Sequence, residues 1–175
     1  MISVTDNFLS AEDLDKANTI ISNKGFTFGW KSNMKNKDYM HWNCILGGST
    51  TYSVVKEIAE SEVDPFIWSI WNRINSTKRK LVRVYSNAYT YGTEGTLHKD
   101  STHYESKTHM IYLNSKWQPD WAGETTFFNN DEISLAILPK PGRLIQFDGM
   151  IFHAARSVSR FCPEVRKVLV YKSIE

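Results

Sequence analysis

Near the amino terminus, apolar residues recur every three or four positions, which is the spacing of an amphipathic helix. This pattern joins Leu9, Leu14, Ala17, Ile20 and Ile21. Ser10 followed three residues later by Asp13 is the signature of a capping box, and Gly25 is a suitable stop. We therefore predict a first helix between Ser10 and Gly25.

A second apolar pattern, from about Val54 to Ile74, predicts further helix, and Pro65 is suited to open a new helix within it. Between the two helical stretches, residues 26–50 mix aromatic and polar side chains and end in Gly47-Gly48. Short strands and a loop are the structures that we expect there.

From Lys80 onward the pattern changes to that of strands, which are short, rich in Val, Ile, Tyr and Phe, and separated by turn-forming residues. The candidate strands are residues 80–91, 107–113, 123–128, 133–138, 143–147, 150–155 and 165–172. Helices followed by many short strands indicate a mainly β fold, an antiparallel barrel or sandwich with helices packed outside. We expect a single domain over residues 1–175, with residues 1–76 as a helical support and residues 80–175 as the barrel core.

The composition supports a folded protein and narrows its partners. Of 175 residues, 41% are hydrophobic and 13% aromatic, which is enough apolar surface for a core. The formal net charge of +2 is too mild to indicate a nucleic-acid partner. Cys44 and Cys162 match neither a disulfide framework nor a zinc pattern, so we expect two free thiols. Without a membrane-length apolar run or a signal-peptide pattern, we expect a soluble cytoplasmic protein.

The chemistry of the chain centres on His98-Lys99-Asp100. In an extended strand, residues i and i+2 point to the same face, so one imidazole and one carboxylate can bind the same metal ion. By itself the triplet is a weak signal. His153, in an apolar segment, is the candidate third ligand, and a buried structural histidine is its alternative role. Two histidines and one carboxylate form the facial triad of non-haem Fe(II) oxygenases, which leaves coordination positions open.

Two further histidines compete for the metal, and one arginine is a candidate anion ligand. His103 lies in a polar stretch that predicts a loop, and His109 has the strand parity opposite to Tyr112, so we expect neither to be a ligand. Arg166 shares the parity of Val168 on the last candidate strand. Because a charge among valines is costly to bury alone, Arg166 either begins the strand in solvent or meets an anion inside the barrel.

Between Val84 and Tyr171, seven short motifs follow one another in register. In chain order they are Tyr89-Thr90-Tyr91-Gly92, His98-Lys99-Asp100, Met110-Ile111-Tyr112-Leu113-Asn114, Ala122-Gly123-Glu124-Thr125-Thr126-Phe127, Pro139 to Phe147, Phe152-His153-Ala154 and Val165-Arg166-Lys167. In this order the segment resembles the 2-oxoglutarate/Fe(II) oxygenase superfamily, in its prolyl 4-hydroxylase-like branch. One departure is Ala122, which stands where the family pattern G-G-E-T-x-F has its first glycine.

The resemblance implies a double-stranded β-helix, a jelly-roll or cupin-like barrel, and a dioxygenase that uses Fe(II), 2-oxoglutarate and O2, with ascorbate to keep the iron reduced. It implies that the iron is bound by His98, Asp100 and His153. The far carboxylate of 2-oxoglutarate would be anchored by Arg166, with Tyr112 and Tyr89 close to it. Of the two tyrosines, Tyr112 is the better candidate for a hydroxyl hydrogen bond to that carboxylate. Three alternatives stay open: Tyr91 could replace Tyr89, and the long gap after His153 leaves Lys167 or Arg160 as the anchoring cation.

The resemblance also implies the reaction, which is hydroxylation of a peptidyl and specifically a prolyl residue, with release of succinate and CO2. A free amino acid or another small molecule is the alternative substrate. Outside the oxygenase class, a non-catalytic metal-binding barrel and a cupin-like zinc hydrolase or isomerase fit the same residues. The partners expected are a peptide, a protein or a small molecule, without membrane or nucleic acid, and the sequence does not indicate an oligomeric state.

Overall fold

The computed structural model of the chain describes residues 1–33, 38–49 and 56–175. Helix α1 spans Ala11–Lys24. Ser10 and Asp13 form the predicted capping box, in which each side chain accepts the backbone N–H of the other at 3.1 Å. Gly25 ends the helix with a φ of 83°, a value that glycine adopts without strain.

Helix α2 spans Pro65–Ile74 and is shorter than the second helical stretch predicted from the sequence. Asp64 caps the helix, and Pro65 occupies its first turn, where a missing N–H costs nothing. Upstream, Glu60–Glu62 form a single 3-10 turn, and the N–H of Ile58 donates to the carbonyl of Leu81 at 2.9 Å. The helix expected ahead of Pro65 is therefore wrong for residues 56–64, and its residues 54 and 55 lie outside the described residues.

Ten strands form at short, β-branched and aromatic segments of the described chain. They are β1 (Ile2–Thr5), β2 (Thr27–Trp30), β3 (His41–Gly47), β4 (Lys80–Tyr89), β5 (Lys107–Tyr112), β6 (Thr125–Asn129), β7 (Glu132–Ile137), β8 (Leu144–Asp148), β9 (His153–Ala155) and β10 (Arg166–Ile174). A short 3-10 turn, Pro119–Trp121, precedes β6. Each of the seven predicted strands is present with ends shifted by a few residues. The strands β2 and β3 are the short strands expected within residues 26–50, whereas β1 was not predicted.

The strands form two antiparallel sheets. The larger sheet has the order β1-β8-β5-β10-β4-β3-β2, and the smaller has the order β7-β6-β9. An isolated bridge between His98 and His153 adds one more segment beside β9. This is the double-stranded β-helix architecture that the resemblance implied, with the two sheets facing each other.

Two hydrophobic clusters separate the outside of the larger sheet from its inside. One packs α1 and α2 against the outer face, with Trp71, Ile111 and Tyr171 buried among its members. The other fills the space between the sheets and includes Phe127 and Phe147. None of the helices in the described part of the chain is long and apolar enough to span a membrane.

Strand register aligns the side chains that point between the sheets. Across β4, β10 and β5, Asn87, Val168 and Tyr112 are direct partners, and so are Arg83, Lys172 and Thr108 further along the same strands. Directly opposed residues share a face of the sheet, so both rows face the interior. We call the end of the barrel at the row of Arg83, Lys172 and Thr108 the mouth.

Candidate metal centre

His98 and His153 are brought together by the backbone. Each donates its N–H to the carbonyl of the other at 3.0 Å, and the centroids of the two rings are 4.4 Å apart. Asp100 follows two residues after His98 and points to the same side, as strand parity predicted. Its Oδ1 lies 3.3 Å from Nε2 of His98, and its Oδ2 lies 3.6 Å from Nε2 of His153.

Backbone carbonyls fix which nitrogen of each imidazole faces the carboxylate. Nδ1 of His98 lies 2.6 Å from the carbonyl oxygen of Thr96, and Nδ1 of His153 lies 3.0 Å from that of Ile151. A carbonyl can only accept, so Nδ1 carries the proton in each neutral ring, and the lone pair of Nε2 points toward Asp100. Burial lowers the pKa of His153 to about 4, although Asp100 opposes the shift, so this ring is neutral at pH 7.

Asp100 is a buried carboxylate with partners on both oxygens. Its side chain is 6% exposed, Lys172 donates to Oδ1 at 2.7 Å, and Thr108 donates to Oδ2 at 2.6 Å. Burial raises the pKa of Asp100, but the interactions with Lys172, His153 and His98 together outweigh burial and hold the pKa well below its usual range. Two lone pairs and one anionic carboxylate therefore converge, with ligand atoms all within 4.8 Å of one another. Such a donor set suits a divalent cation.

Arg166 is the second unusual feature between the sheets. The side chain is completely buried; its Nε donates to the carbonyl of Gly123 at 2.6 Å and its Nη2 donates to Oγ1 of Thr125 at 2.8 Å. Nη1 has no hydrogen-bond partner, and within the described residues no carboxylate pairs with the guanidinium. The rings of Tyr89 and Tyr112 flank it at 5.0 and 5.1 Å. A buried guanidinium with an unused donor fits an anionic ligand.

A narrow cavity connects the guanidinium with the three candidate ligands. Its lining combines His98, Asp100 and His153 at one end, Arg166 and Tyr89 at the other, and a mostly apolar wall between them. The wall includes Met110, Phe147, Ala155, Val168 and Val170. A ligand that spans this cavity would contact the metal with one end and present an anion to Arg166 with the other.

Comparison with known families agrees with this arrangement. The sequence model of the 2OG-Fe(II) oxygenase superfamily matches residues 84–170, about half of the chain, and this range includes the candidate ligands and Arg166. The chain belongs to this superfamily. The oxygenase is accordingly an Fe(II)- and 2-oxoglutarate-dependent dioxygenase, and the expected cofactors Fe(II), 2-oxoglutarate and O2 are confirmed at the level of the family. No curated protein sequence matches the chain.

Solved structures confirm the fold of the oxygenase at low sequence identity. A prolyl-4-hydroxylase from Pseudomonas putida is 14% identical, with a TM-score of 0.70 over 99% of this chain and 92% of that one. A prolyl hydroxylase from Trichoplax adhaerens, solved with a hypoxia inducible factor peptide fragment, is 16% identical, with a TM-score of 0.69 over 99% and 83%. A viral collagen prolyl hydroxylase from Paramecium Bursaria Chlorella virus-1, solved as a 2OG complex, is 17% identical, with a TM-score of 0.65 over 99% and 96%.

The competing histidines of the oxygenase lie away from the candidate centre. His109 faces the helices, where Nε2 pairs with Ser173 and Nδ1 with Gln146, each at 2.9 Å. Its ring meets Trp71 edge-on. His103 is exposed in the turn that follows Asp100. His109 therefore points away from the barrel interior, as its strand parity opposite to Tyr112 predicted.

The two tyrosines predicted near the cosubstrate occupy different environments. Tyr112 bonds through its hydroxyl to Thr125 at 2.8 Å and to the carbonyl of Ile137 at 3.0 Å, outside the cavity lining. Tyr89 lines the cavity, accepts a hydrogen bond from Asn87 at 3.3 Å and stays protonated, because burial raises its pKa to about 12. Tyr91 is exposed, so it does not take the place of Tyr89.

Sequence reasoning missed three residues that position the candidate groups. Thr108 and Lys172 contact Asp100, and Thr125 links Arg166 to Tyr112. A signal for two of them was present: Thr108 has the parity of Tyr112, and Lys172 has the parity of Arg166. Proximity to Asp100 depends on the pairing of β5 with β10, which only the structure supplies.

Proposed function

We propose that the oxygenase hydroxylates a peptidyl and specifically a prolyl residue. The reaction converts a substrate C–H bond, O2 and 2-oxoglutarate to C–OH, succinate and CO2, with one oxygen atom in the hydroxyl group and the other in succinate. The observation that carries the proposal is the pairing, in one cavity, of a histidine-carboxylate triad with a buried guanidinium that has an unused donor.

We assign Fe(II) to His98, Asp100 and His153. Bound there with 2-oxoglutarate, the iron supplies the oxidative decarboxylation and C–H hydroxylation chemistry of the superfamily. The contribution of the chain is orientation. The carbonyls of Thr96 and Ile151 fix the Nδ1–H tautomers, and Thr108 fixes the carboxylate plane, so the three donors are arranged before the metal binds.

We assign the far carboxylate of 2-oxoglutarate to Arg166, whose planar fork suits bidentate recognition of a carboxylate. The guanidinium is held in place by Gly123 and Thr125, which leaves Nη1 for the ligand. Tyr89 is the neutral hydroxyl that lines the same cavity, so we expect its O–H to contribute directly. Tyr112 acts on Arg166 through Thr125. Lys167 pairs with Asn18 on the helical side, which favours Arg166 as the anchor.

The prolyl assignment draws on the structural relatives. Three of them are prolyl hydroxylases, and one was solved with a peptide fragment. Because their identity to this chain is below 20%, their support extends to a fold that is suited to this reaction. A free amino acid is the alternative substrate, because the same barrel and cofactors would serve it.

The experiment is succinate formation from 2-oxoglutarate with Fe(II), ascorbate and air, measured with and without proline-containing peptides. We expect slow succinate formation without peptide and faster formation with a substrate. His98→Ala and Asp100→Ala should each abolish both and should lose Fe(II) binding in anaerobic titrations. His103→Ala is the matched histidine control and should still bind Fe(II).

Three outcomes would contradict the proposal. Succinate formation that persists in Asp100→Ala would exclude this carboxylate as a ligand. Turnover that needs a metal but no O2 would favour a zinc hydrolase or isomerase. Tight Fe(II) and 2-oxoglutarate binding without succinate under any condition would favour a non-catalytic barrel.

A further inference from the structure

Lys172 places a positive charge on the carboxylate that we assign to the metal. Its Nζ donates to Oδ1 of Asp100 at 2.7 Å, and the side chains of Lys172 and Asp100 are 13% and 6% exposed. The ring of Tyr85 faces the ammonium at 5.6 Å, a distance at which the π electrons of a phenol attract a cation. The charge is therefore held next to Asp100, in a place where water screens it weakly.

Each oxygen of Asp100 has one hydrogen-bond donor and faces one imidazole. Oδ1 accepts from Lys172 and lies 3.3 Å from Nε2 of His98. Oδ2 accepts from Thr108 at 2.6 Å and lies 3.6 Å from Nε2 of His153. A carboxylate oxygen has two lone pairs, so one on each oxygen remains for a metal that the imidazoles also bind. The metal and the ammonium of Lys172 would then share the same carboxylate.

In the metal-free oxygenase this ammonium offsets an unfavourable arrangement. Because Nδ1 carries the proton in both rings, the Nε2 lone pairs of His98 and His153 face the negative charge of Asp100. Electron-rich atoms that are brought together repel one another, and a buried carboxylate without a partner is costly. The charge of Lys172 reduces both costs, so it stabilises the site before a metal binds.

The same charge opposes a divalent cation. A metal bound to Asp100 would lie close to the ammonium that contacts the same carboxylate, and like charges repel strongly where little water separates them. Lys172 also offsets part of the negative charge that makes Asp100 a good ligand. A group that stabilises the metal-free protein more than the metal-bound protein lowers the affinity for the metal.

We propose that Lys172 competes with the metal for Asp100 and thereby weakens the binding of Fe(II) to the oxygenase. This inference rests on the proposed function, because it takes His98, Asp100 and His153 as the ligands, and it names a regulation of the same site. The three ligands then fill with iron at a higher Fe(II) concentration than they would without the lysine, so the fraction of active enzyme follows the supply of Fe(II).

The test is the Kd for Fe(II), measured by anaerobic calorimetric titration of the whole chain at pH 7. Lys172→Met removes the charge and keeps the length of the side chain. We expect a Kd about 10- to 100-fold lower than that of the wild type, because a buried like charge next to the metal is lost. The same variant should have a lower urea midpoint with a chelator present, because Asp100 loses its buried partner.

Two controls separate the charge from the contact. Thr108→Val removes the hydrogen bond to the other oxygen of Asp100 without a change in charge, so it should not tighten Fe(II) binding. Lys99→Met removes a lysine whose Nζ lies over the ring of Phe152 at 4.6 Å, and it should change the Kd little. Lys172→Gln, which keeps a donor for Asp100, is a second neutral variant and should also bind Fe(II) more tightly than the wild type.

The outcomes distinguish this inference from the proposed function. A wild type that does not bind Fe(II), or an Asp100→Ala variant that binds it equally well, would contradict the proposed function. Where the wild type binds Fe(II) and Asp100→Ala does not, a Kd that is unchanged or raised in both neutral variants of Lys172 would overturn the competition. Equal tightening in Lys99→Met would overturn it as well, because the effect would then not depend on contact with Asp100.

Discussion

Acid should unfold the metal-free oxygenase through two buried histidines that are not proposed metal ligands. His41 is completely buried, stacks on Tyr89 at 4.7 Å, and neither of its ring nitrogens has a hydrogen-bond partner in the described chain. His109 is 2% exposed. Burial is the largest cause that lowers the pKa of each to about 3. Electrostatic interactions with His98 and Arg166 contribute for His41, and interactions with Arg79 and Lys107 contribute for His109.

The sign and size of the effect follow from these values. Each pKa is lower in the folded state than the ordinary 6.5, so the unfolded state binds more protons and the free energy of unfolding falls as the pH drops below 6.5. At pH 5 the unfolded imidazole is charged and the folded one is still neutral. Because pH 5 lies about 1.5 units below the unfolded-state pKa of 6.5, each histidine lowers the free energy of unfolding by about 2 kcal/mol. Together His41 and His109 cost about 4 kcal/mol, a large part of a typical domain stability.

The assay is urea denaturation at pH 7 and pH 5 with a chelator present, because bound metal would add its own pH dependence. His41→Phe keeps a stacked ring, and His109→Gln keeps hydrogen-bonding groups. Each should reduce the loss of stability between the two pH values by about 2 kcal/mol relative to the wild type. His153, with a pKa of about 4, contributes equally to all of these proteins. His103→Gln, at an exposed position, is the control and should change the loss little.

The quantity compared is the loss of unfolding free energy between pH 7 and pH 5. A variant that is equally destabilised at both pH values leaves this loss unchanged. A His41→Phe protein that loses as much stability as the wild type on going to pH 5 would refute the reasoning for His41. The same result for His109→Gln would show that His109 is already protonated in the folded protein at pH 5.

Three further predictions concern Arg166, the backbone at Ala122 and Fe(II) binding. Arg166→Ala should raise the KM for 2-oxoglutarate by at least 10-fold, because it removes a charge-assisted pairing, and an unchanged KM in the succinate assay would exclude Arg166 as the anchor. Ala122→Gly should stabilise the protein by about 1 kcal/mol in urea denaturation, because Ala122 has a φ of 56° that glycine adopts without strain; a destabilised variant would contradict that strain. Anaerobic Fe(II) at 100 times its Kd should add about 2.7 kcal/mol to the free energy of unfolding of the wild type, and the same gain in Asp100→Ala would place the metal elsewhere.

The barrel was predictable from sequence because short alternating segments with turn residues between them leave few other folds. The predicted and observed limits of β5 differ by one residue. The error ahead of Pro65 has a local cause. The apolar pattern over residues 56–64 was real, but its residues pack irregularly, as when Ile58 bonds to the backbone at Leu81. Periodicity cannot distinguish such a segment from a helix, because both bury apolar side chains.

In the candidate site, relations between residues close in sequence could be predicted, whereas contacts between residues far apart in sequence could not. Strand parity placed His98 and Asp100 on one side, but the family resemblance was needed to select them as ligands. The valine neighbours of Arg166 left open whether it faces solvent or the interior, and the resemblance favoured the interior. The contact between Lys172 and Asp100 joins residues 72 apart in sequence and requires the register of β10 against β5. Tyr89 and Tyr112 both point inward, so parity could not rank them. The family resemblance had favoured Tyr112, but Thr125 and Ile137 occupy its hydroxyl, and Tyr89 is the tyrosine of the two that lines the cavity.

The inner face of β10 gives the proposed roles a common physical basis. Arg166, Val168, Val170 and Lys172 alternate along one strand, so two cations stand at its ends with valines between them. Six residues of strand separate the two Cα atoms by about 20 Å. Arg166 is enclosed and suits a ligand that stays for the reaction, whereas Lys172 pairs with Asp100 at the mouth. Because the valine surface between the cations offers no partner to a carboxylate, the proposed 2-oxoglutarate carboxylate is directed to Arg166, while Asp100 is held by Lys172.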